Sequence, residues 1–421
     1  GHRHPSRRNS AGRPGSTPSH QRTTQRLTTQ LRAHNSGRPT VNVDVAPYRD
    51  RFPIFKNATY LNSCSQGALA DTVRGAMEHY MDGMDELGSL WEQWAGKQEE
   101  VRGLLARLFN TTPDEVAVTA SASAAIDSIA SALFLDDGPR TVVTTSLEFP
   151  TAGQIWHAQA ARGVSVVHVP AGPDHRLAID ALAAAIDDDT ALVSVTHVCY
   201  RNGAMTELAA VIELAHARGV RVLVDAYQSA GAVPIDFTAL GADFLVGGCL
   251  KYMLGMPGVG FGLVTKEACA ALVPTSTGWF AARDIFAMDI YGYDPATEAR
   301  RFEAGTPVVP SLYAVAAGLE LLLEIGVDRA WEVSSGLHDQ LRAGVVDLGG
   351  TVVTPGGAGE HGPMIAIAST DEHALVRAMA EDRVIVSSRD GNIRISPHFY
   401  NNEGDVVSAL TSMRRHRHLL A

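Results

Sequence analysis

Lysine is nearly missing from this chain: among its 35 lysines and arginines, only Lys56, Lys97, Lys251 and Lys266 are lysine. Cysteine is as scarce. Cys64, Cys199, Cys249 and Cys269 show no metal-ligand spacing and no paired framework, so no metal is expected and a reduced, cytoplasmic protein is the simplest reading. No apolar run is long and unbroken enough to span a bilayer, which argues against a membrane protein. Residues 1–43 lack Asp and Glu altogether but hold eight Arg and many Ser, Thr, Gln, Gly and Pro. Such a composition buries too little apolar surface to order itself, so a disordered basic tail is expected there. The tail also lacks the apolar h-region of a secretory signal. Setting its eight charges aside turns the formal −11 into −19 for the remainder, an acidic body that argues against nucleic-acid binding.

What is present is organised around Arg221 to Val264. An apolar run Val222–Val224 ends on Asp225, a second, Phe244–Val246, ends in Gly247-Gly248-Cys249-Leu250-Lys251, and a third covers Val259–Val264. Short apolar runs bounded by turn residues read as buried parallel strands of an α/β sheet, and ligands sit at the carboxyl ends of such strands. Lys97 falls in a helical stretch, Lys266 at a helix start and Lys56 ahead of the first strand. Only Lys251 follows a strand into a glycine-bearing loop where an amine can be held and form a Schiff base. A buried carboxylate one strand away, Asp225, suits a pyridinium nitrogen. A solvated lysine and a helix-capping aspartate are the alternative on these residues alone.

Elsewhere, Thr72 to Phe109 has apolar residues at helical spacing, with its tryptophans read as packing anchors. Val116 to Asp127 runs from a strand into small hydroxylated residues and a helix, a pattern that offers free N–H groups to a phosphate. Phe149 closes a strand, where an aromatic can lie on a ring. His197 reads as a hydrogen-bonded core residue. Trp279 to Tyr293 is a long aromatic loop, suited to an apolar substrate side chain or to a structural lid. After Pro310 a helix leads to a smaller α/β domain with strands near Thr351, Met364, Val384 and Ile393. Arg394, at the end of the last, is suited to a bidentate grip on a carboxylate.

The segments DAYQSAGAVPID (225–236), GADFLVGGCLKYMLGMPGVGF (241–261), THVCYRNGAM (196–205), EFPT (148–151), FEAGTP (302–307) and RISPHFYN (394–401) together resemble the class V aminotransferase family of fold-type I pyridoxal-phosphate (PLP) enzymes. Within it they are most similar to the kynureninase-like and isopenicillin-N-epimerase-like branch. The resemblance implies a large domain with a mostly parallel seven-stranded sheet over 71–310, a small C-terminal α/β domain over 311–421, and an N-terminal segment, 44–70, bordering the active site. It places Ala122 and Ser123 at the cofactor phosphate, Phe149 on the pyridine ring, Tyr200 as a branch marker at the cofactor, and Gln228 at the phenolic oxygen. Asp225 would meet the ring nitrogen, Lys251 would be the catalytic lysine, and Arg394 would bind the substrate α-carboxylate. Gly305-Thr306 would reach a partner's phosphate, which implies a homodimer with composite active sites.

Five departures stand out. Kynureninases carry Asp where Ala152 stands and usually His where Gln228 stands, which points away from kynurenine itself. Relatives often supply Ser, His or Tyr to the phosphate from the positions of Gly248 and Leu250, and neither residue here has a side-chain donor. Desulfurases of the family use a cysteine near the small-domain strands, and no cysteine follows Cys269, which argues against persulfide transfer. The expected activity is a lyase acting through a Cα carbanion on a bulky or secondary-metabolite amino acid. An aminotransferase or epimerase, and a non-catalytic PLP-fold binding protein, are the alternatives.

Overall fold

The computed structural model describes residues 44–136 and 138–421; the tail expected over 1–43 lies outside the described residues. In chain order the strands begin with β1 (Thr59–Tyr60), β2 (Val116–Thr119), β3 (Thr141–Thr145), β4 (Ser165–Val169), β5 (Thr190–Thr196) and β6 (Arg221–Asp225). They continue with β7 (Phe244–Gly248), β8 (Gly260–Val264), β9 (Ile365–Ala368), β10 (Val384–Ile385), β11 (Ser387–Arg389) and β12 (Asn392–Ile395).

Seven of them form one sheet in the order β2-β8-β7-β6-β5-β3-β4. The strands from β3 to β7 are parallel, and helices Pro150–Ala158, Ile179–Ala185, Leu208–His216 and Phe237–Leu240 fill their crossovers. Apolar residues alternate between the two faces of this sheet. Val193, Val195, Val222, Val224 and Leu245 join the core beneath helices Trp91–Leu108 and Val309–Ile325, while Leu192, Leu223, Phe244 and Val246 join Ile126, Ile129 and Trp156 on the other side. Burial on both faces is why these strands are continuous apolar runs rather than alternating ones.

The third run departs from expectation, because β8 pairs antiparallel with both β7 and β2. Only residues 249–259 separate β7 from β8, too few for the helical crossover a parallel return needs. Two further expectations change. The helical stretch from Thr72 to Phe109 is two helices, Asp71–Leu87 and Trp91–Leu108, broken where Gly88 adopts φ +73°. Near Thr351 there is no strand, only an isolated bridge between Val352 and Ile367.

The C-terminal part builds a smaller antiparallel sheet, β11-β12-β9. Helices Val327–Asp347, Glu372–Glu381 and Glu403–Arg415 pack on it through Leu341, Val345, Leu375, Met379, Ala409 and Met413. The N-terminal segment is stitched to this sheet: β1 runs parallel to β10, and Asn62 bridges to Ser396. That pairing carries residues 63–67 to the carboxyl ends of the large sheet. Among the described residues no single helix is long and apolar enough to cross a membrane.

Candidate active site

Register places the site. Asp225 ends β6 level with Thr196 on β5 and Val246 on β7, so three adjacent strands deliver their following loops to one place. The loop carrying Lys251 is tight: Gly255 N donates to Cys249 O at 2.8 Å and Gly67 N to Leu250 O at 2.9 Å. Gly67 is obligatory there, since a Cβ would overlap the carbonyl oxygen of Lys251.

The Lys251 amine lies 4.3 Å from the centroid of the Tyr227 ring and makes no hydrogen bond or ion pair among the described residues. Burial pushes it down to about 8; Cys64 and Asp225 pull it up, and Arg394 and Arg389 add to the lowering. An amine near 8 is a base that is partly neutral at physiological pH. Asp225 is buried, which raises its carboxyl against the opposing effects of a 2.8 Å hydrogen bond from Tyr227 N to Oδ1 and the charge of Lys251. No cation pairs with it at salt-bridge distance among the described residues.

Arg394 on β12 is only 4% exposed, yet it meets no carboxylate among the described residues. Its Nη1 donates to Tyr200 O at 2.8 Å, Nη2 to Ser387 Oγ at 3.1 Å and to Ser65 Oγ at 3.4 Å, and its Nε has no partner. A buried guanidinium with an idle donor and no counter-ion calls for an anion. Gln228 repeats the pattern: Nε2 donates to Cys64 O at 3.1 Å while the buried Oε1 has no partner. The Phe149 ring is 43% exposed and stands edge-on to Tyr200, centroids 5.0 Å apart, which leaves a face free to cover a planar ligand.

Ala122 and Ser123 begin helix Ala122–Ala132, which Ser121 caps by accepting from Ala124 N at 3.1 Å. Ser123 Oγ reaches Thr151 Oγ1 at 3.5 Å, bringing this helix end beside the loop of Phe149. Lys251, Asp225, Gln228, Tyr200, Phe149 and Arg394 are thus connected, with Ala122 and Ser123 on one flank. No hydrogen bond or ion pair among the described residues joins Thr306 to them; it is exposed on the rim of a 570 Å³ surface cavity with Trp91, Trp279, Phe286 and Met288.

Sequence reasoning gave Glu148 no role of its own and placed Cys64 only within the segment bordering the active site. Glu148 is buried with Oε1 accepting from Thr196 N at 2.7 Å and Thr145 Oγ1 at 2.9 Å, while Oε2 has no partner. Burial and the neighbouring Asp225 push its carboxyl up to about 8. Cys64 comes within 3.7 Å of Ser387 Oγ, so the N-terminal segment brings a thiol to the small sheet although no cysteine follows Cys269. His197 matches its reading as a core residue: Nδ1 and Ser229 Oγ are 2.9 Å apart, and burial lowers its ring to about 4. Ala152 is buried in the core with Trp156.

The model of the family described as aminotransferase class-V matches residues 60–406. The chain belongs to that family. An uncharacterized aminotransferase, YcbU of Bacillus subtilis (strain 168), is 36% identical over 371 residues, covering 86% of this chain and 95% of its own. A kynureninase of Pseudomonas fluorescens is 29% identical over 370 residues, covering 83% and 86%. Among solved structures, the apo cysteine desulfurase of Thermococcus onnurineus NA1 superposes with a TM-score of 0.80 at 22% identity, covering 88% of this chain and 97% of that one. A C-DES variant with glycine covalently linked to its PLP cofactor gives 0.80 at 24% identity, covering 87% and 98%. At these identities the structures speak for the fold, a fold-type I α/β architecture with a smaller C-terminal α/β domain.

Membership makes this class V chain a PLP-dependent enzyme, and the reading as a non-catalytic binding protein falls away. The side chains fit the cofactor: a buried unpaired carboxylate, an idle amide oxygen on Gln228, a buried free amine and a half-exposed aromatic face are four features that a phosphorylated, hydroxylated pyridine aldehyde satisfies at once.

Proposed function

We propose that this enzyme is a kynureninase-like lyase acting on an α-amino acid with a bulky side chain. The observation that carries the amino-acid reading is Arg394, a buried cation with an idle Nε and no acidic partner among the described residues, electrostatically coupled to Lys251. Its fork would grip the α-carboxylate and so fix Cα near the Lys251 amine. Bound PLP supplies the electron sink that lets a bond at Cα or Cβ break heterolytically. Asp225 would stay ionised beside the ring nitrogen, Gln228 would hold the phenolic oxygen, and Phe149 would cover the ring and exclude water. The Nζ of Lys251 would anchor the cofactor and then take and return the Cα proton.

The kynureninase relatives and Tyr200 support cleavage in the side chain, whereas Gln228 and Ala152 point to a substrate other than kynurenine. Transamination is the second reading, favoured by the 36% identical relative named an aminotransferase. Incubating the purified enzyme with a panel of aromatic and γ-oxo amino acids separates the two. Release of alanine marks side-chain cleavage; appearance of the 2-oxo acid, dependent on an added amino acceptor, supports the second reading and overturns the first.

A homodimer with shared sites belongs to the same proposal. Trp91, Trp279, Phe286 and Met288 line an apolar cavity with Thr306, and Ile290 and Tyr291 of the same loop are 83% and 95% exposed, an apolar surface that a second copy would cover. Thr306 would then lie against the partner's phosphate site. Mixing Lys251→Ala with Thr306→Ala protein should regenerate one competent site per mixed dimer; two inactive parents giving an inactive mixture would count against it. With four free cysteines, all buried, the proposed location is the cytoplasm.

A further inference from the structure

We propose that the Tyr227 hydroxyl is the side-chain donor at the phosphate end of the cofactor site, replacing the donors missing at positions 248 and 250. The placement follows from β7 and β8. Gly248 and Gly260 are directly opposed in this antiparallel pair, so their Cβ positions face the same side of the sheet as close neighbours. A Cβ at Gly248 would overlap the Cζ and Oη of Tyr227. A Cβ at Gly260 would collide with the backbone of Ser121 and Ala122, where helix Ala122–Ala132 begins. The phenol and the N-terminus of that eleven-residue helix therefore rest side by side on two bare glycines.

Glycine at 248 is what admits the ring. A serine, histidine or tyrosine at that position would occupy the space that Tyr227 fills, so the absent donor and the present one exclude each other sterically. The phenol is well suited to the exchange. Its hydroxyl makes no hydrogen bond among the described residues, and burial, Cys249 and Asp225 hold its ionisation far above neutrality, so it keeps a proton to donate. Its ring simultaneously faces the Lys251 amine at 4.3 Å, which spans the distance from the reacting amine to the anion end with one side chain. The inference rests on the PLP assignment and is independent of which bond the enzyme breaks.

The test compares PLP with pyridoxal, which lacks the phosphate, by equilibrium titration of cofactor-free protein followed by absorbance. Tyr227→Phe should weaken PLP about 10- to 100-fold, the effect of losing one hydrogen bond to a charged group, while leaving pyridoxal affinity unchanged. The double change Tyr227→Ala with Gly248→Ser, which vacates the space and returns a hydroxyl, should recover PLP affinity relative to Tyr227→Ala alone. Equal losses for PLP and pyridoxal would show that the phenol only packs, and unchanged PLP binding in Tyr227→Phe would show that it donates nothing; either overturns the proposal.

Discussion

Arg394 Nη1 donates to the carbonyl oxygen of Tyr200 at 2.8 Å, joining β12 to the loop after β5 across 194 positions of the chain. The same loop carries the ring that meets Phe149, so the group that would bind substrate and the aromatic that would cover the cofactor share one support. Lysine at 394 keeps the charge but loses the planar fork that serves Tyr200, Ser387 and a substrate carboxylate together. Arg394→Lys is expected to raise KM for the amino acid about 10- to 100-fold, with the absorbance of bound PLP retained. Steady-state kinetics beside a spectrum checks both halves.

The Lys251 amine titrates near 8 in the fold against 10.5 for an ordinary lysine. Between those values the folded protein binds fewer protons than the unfolded chain, so this residue's contribution to stability grows as pH rises and is lost as pH falls towards 8. The neutral amine is also the form that attacks an aldehyde. Uptake of PLP by cofactor-free protein should therefore accelerate as pH climbs to about 8 and level off above it. A rate independent of pH between 6 and 9 would contradict this placement of the amine.

Glu148 has the opposite sign. Its carboxyl is raised to about 8 from an ordinary 4.5, so the folded protein holds a proton that the unfolded chain has released, and stability falls as pH rises through that window. Glu148→Gln preserves an acceptor for Thr196 N and Thr145 Oγ1 without the charge. Its Tm should match the parent at pH 5 and exceed it by several degrees at pH 8, measured on cofactor-free protein by calorimetry.

Much of this site can be read from residue types, because three buried strands are short apolar runs whose ends announce Asp225 and the lysine loop. Scarcity of lysine then singles out Lys251. Glu148 and Tyr227 stayed without a role since neither is distinctive as a residue type; each matters through what register sets beside it, Asp225 in one case and Gly248 in the other. The direction of β8 is not legible in the residues, because an antiparallel strand buried on both faces has the same apolar run as a parallel one.

Gly67 touches the lysine loop from the N-terminal segment, and a methyl group there has nowhere to go, since backbone rather than a flexible side chain opposes it. Gly67→Ala is expected to cost about 1–3 kcal/mol of stability and to weaken PLP binding by displacing Lys251. Urea unfolding and PLP titration measure the two losses; a variant as stable as the parent with unchanged affinity would mean that the segment yields freely.

With only four lysines in the chain, attachment of the cofactor to Lys251 can be read directly. PLP-loaded protein is reduced with borohydride, digested and mapped by mass spectrometry. The reduced pyridoxyl-phosphate mass is expected on the peptide containing Lys251, and is expected to disappear in Lys251→Ala. Attachment at Lys56, Lys97 or Lys266, or no attachment in the parent protein, would contradict this assignment.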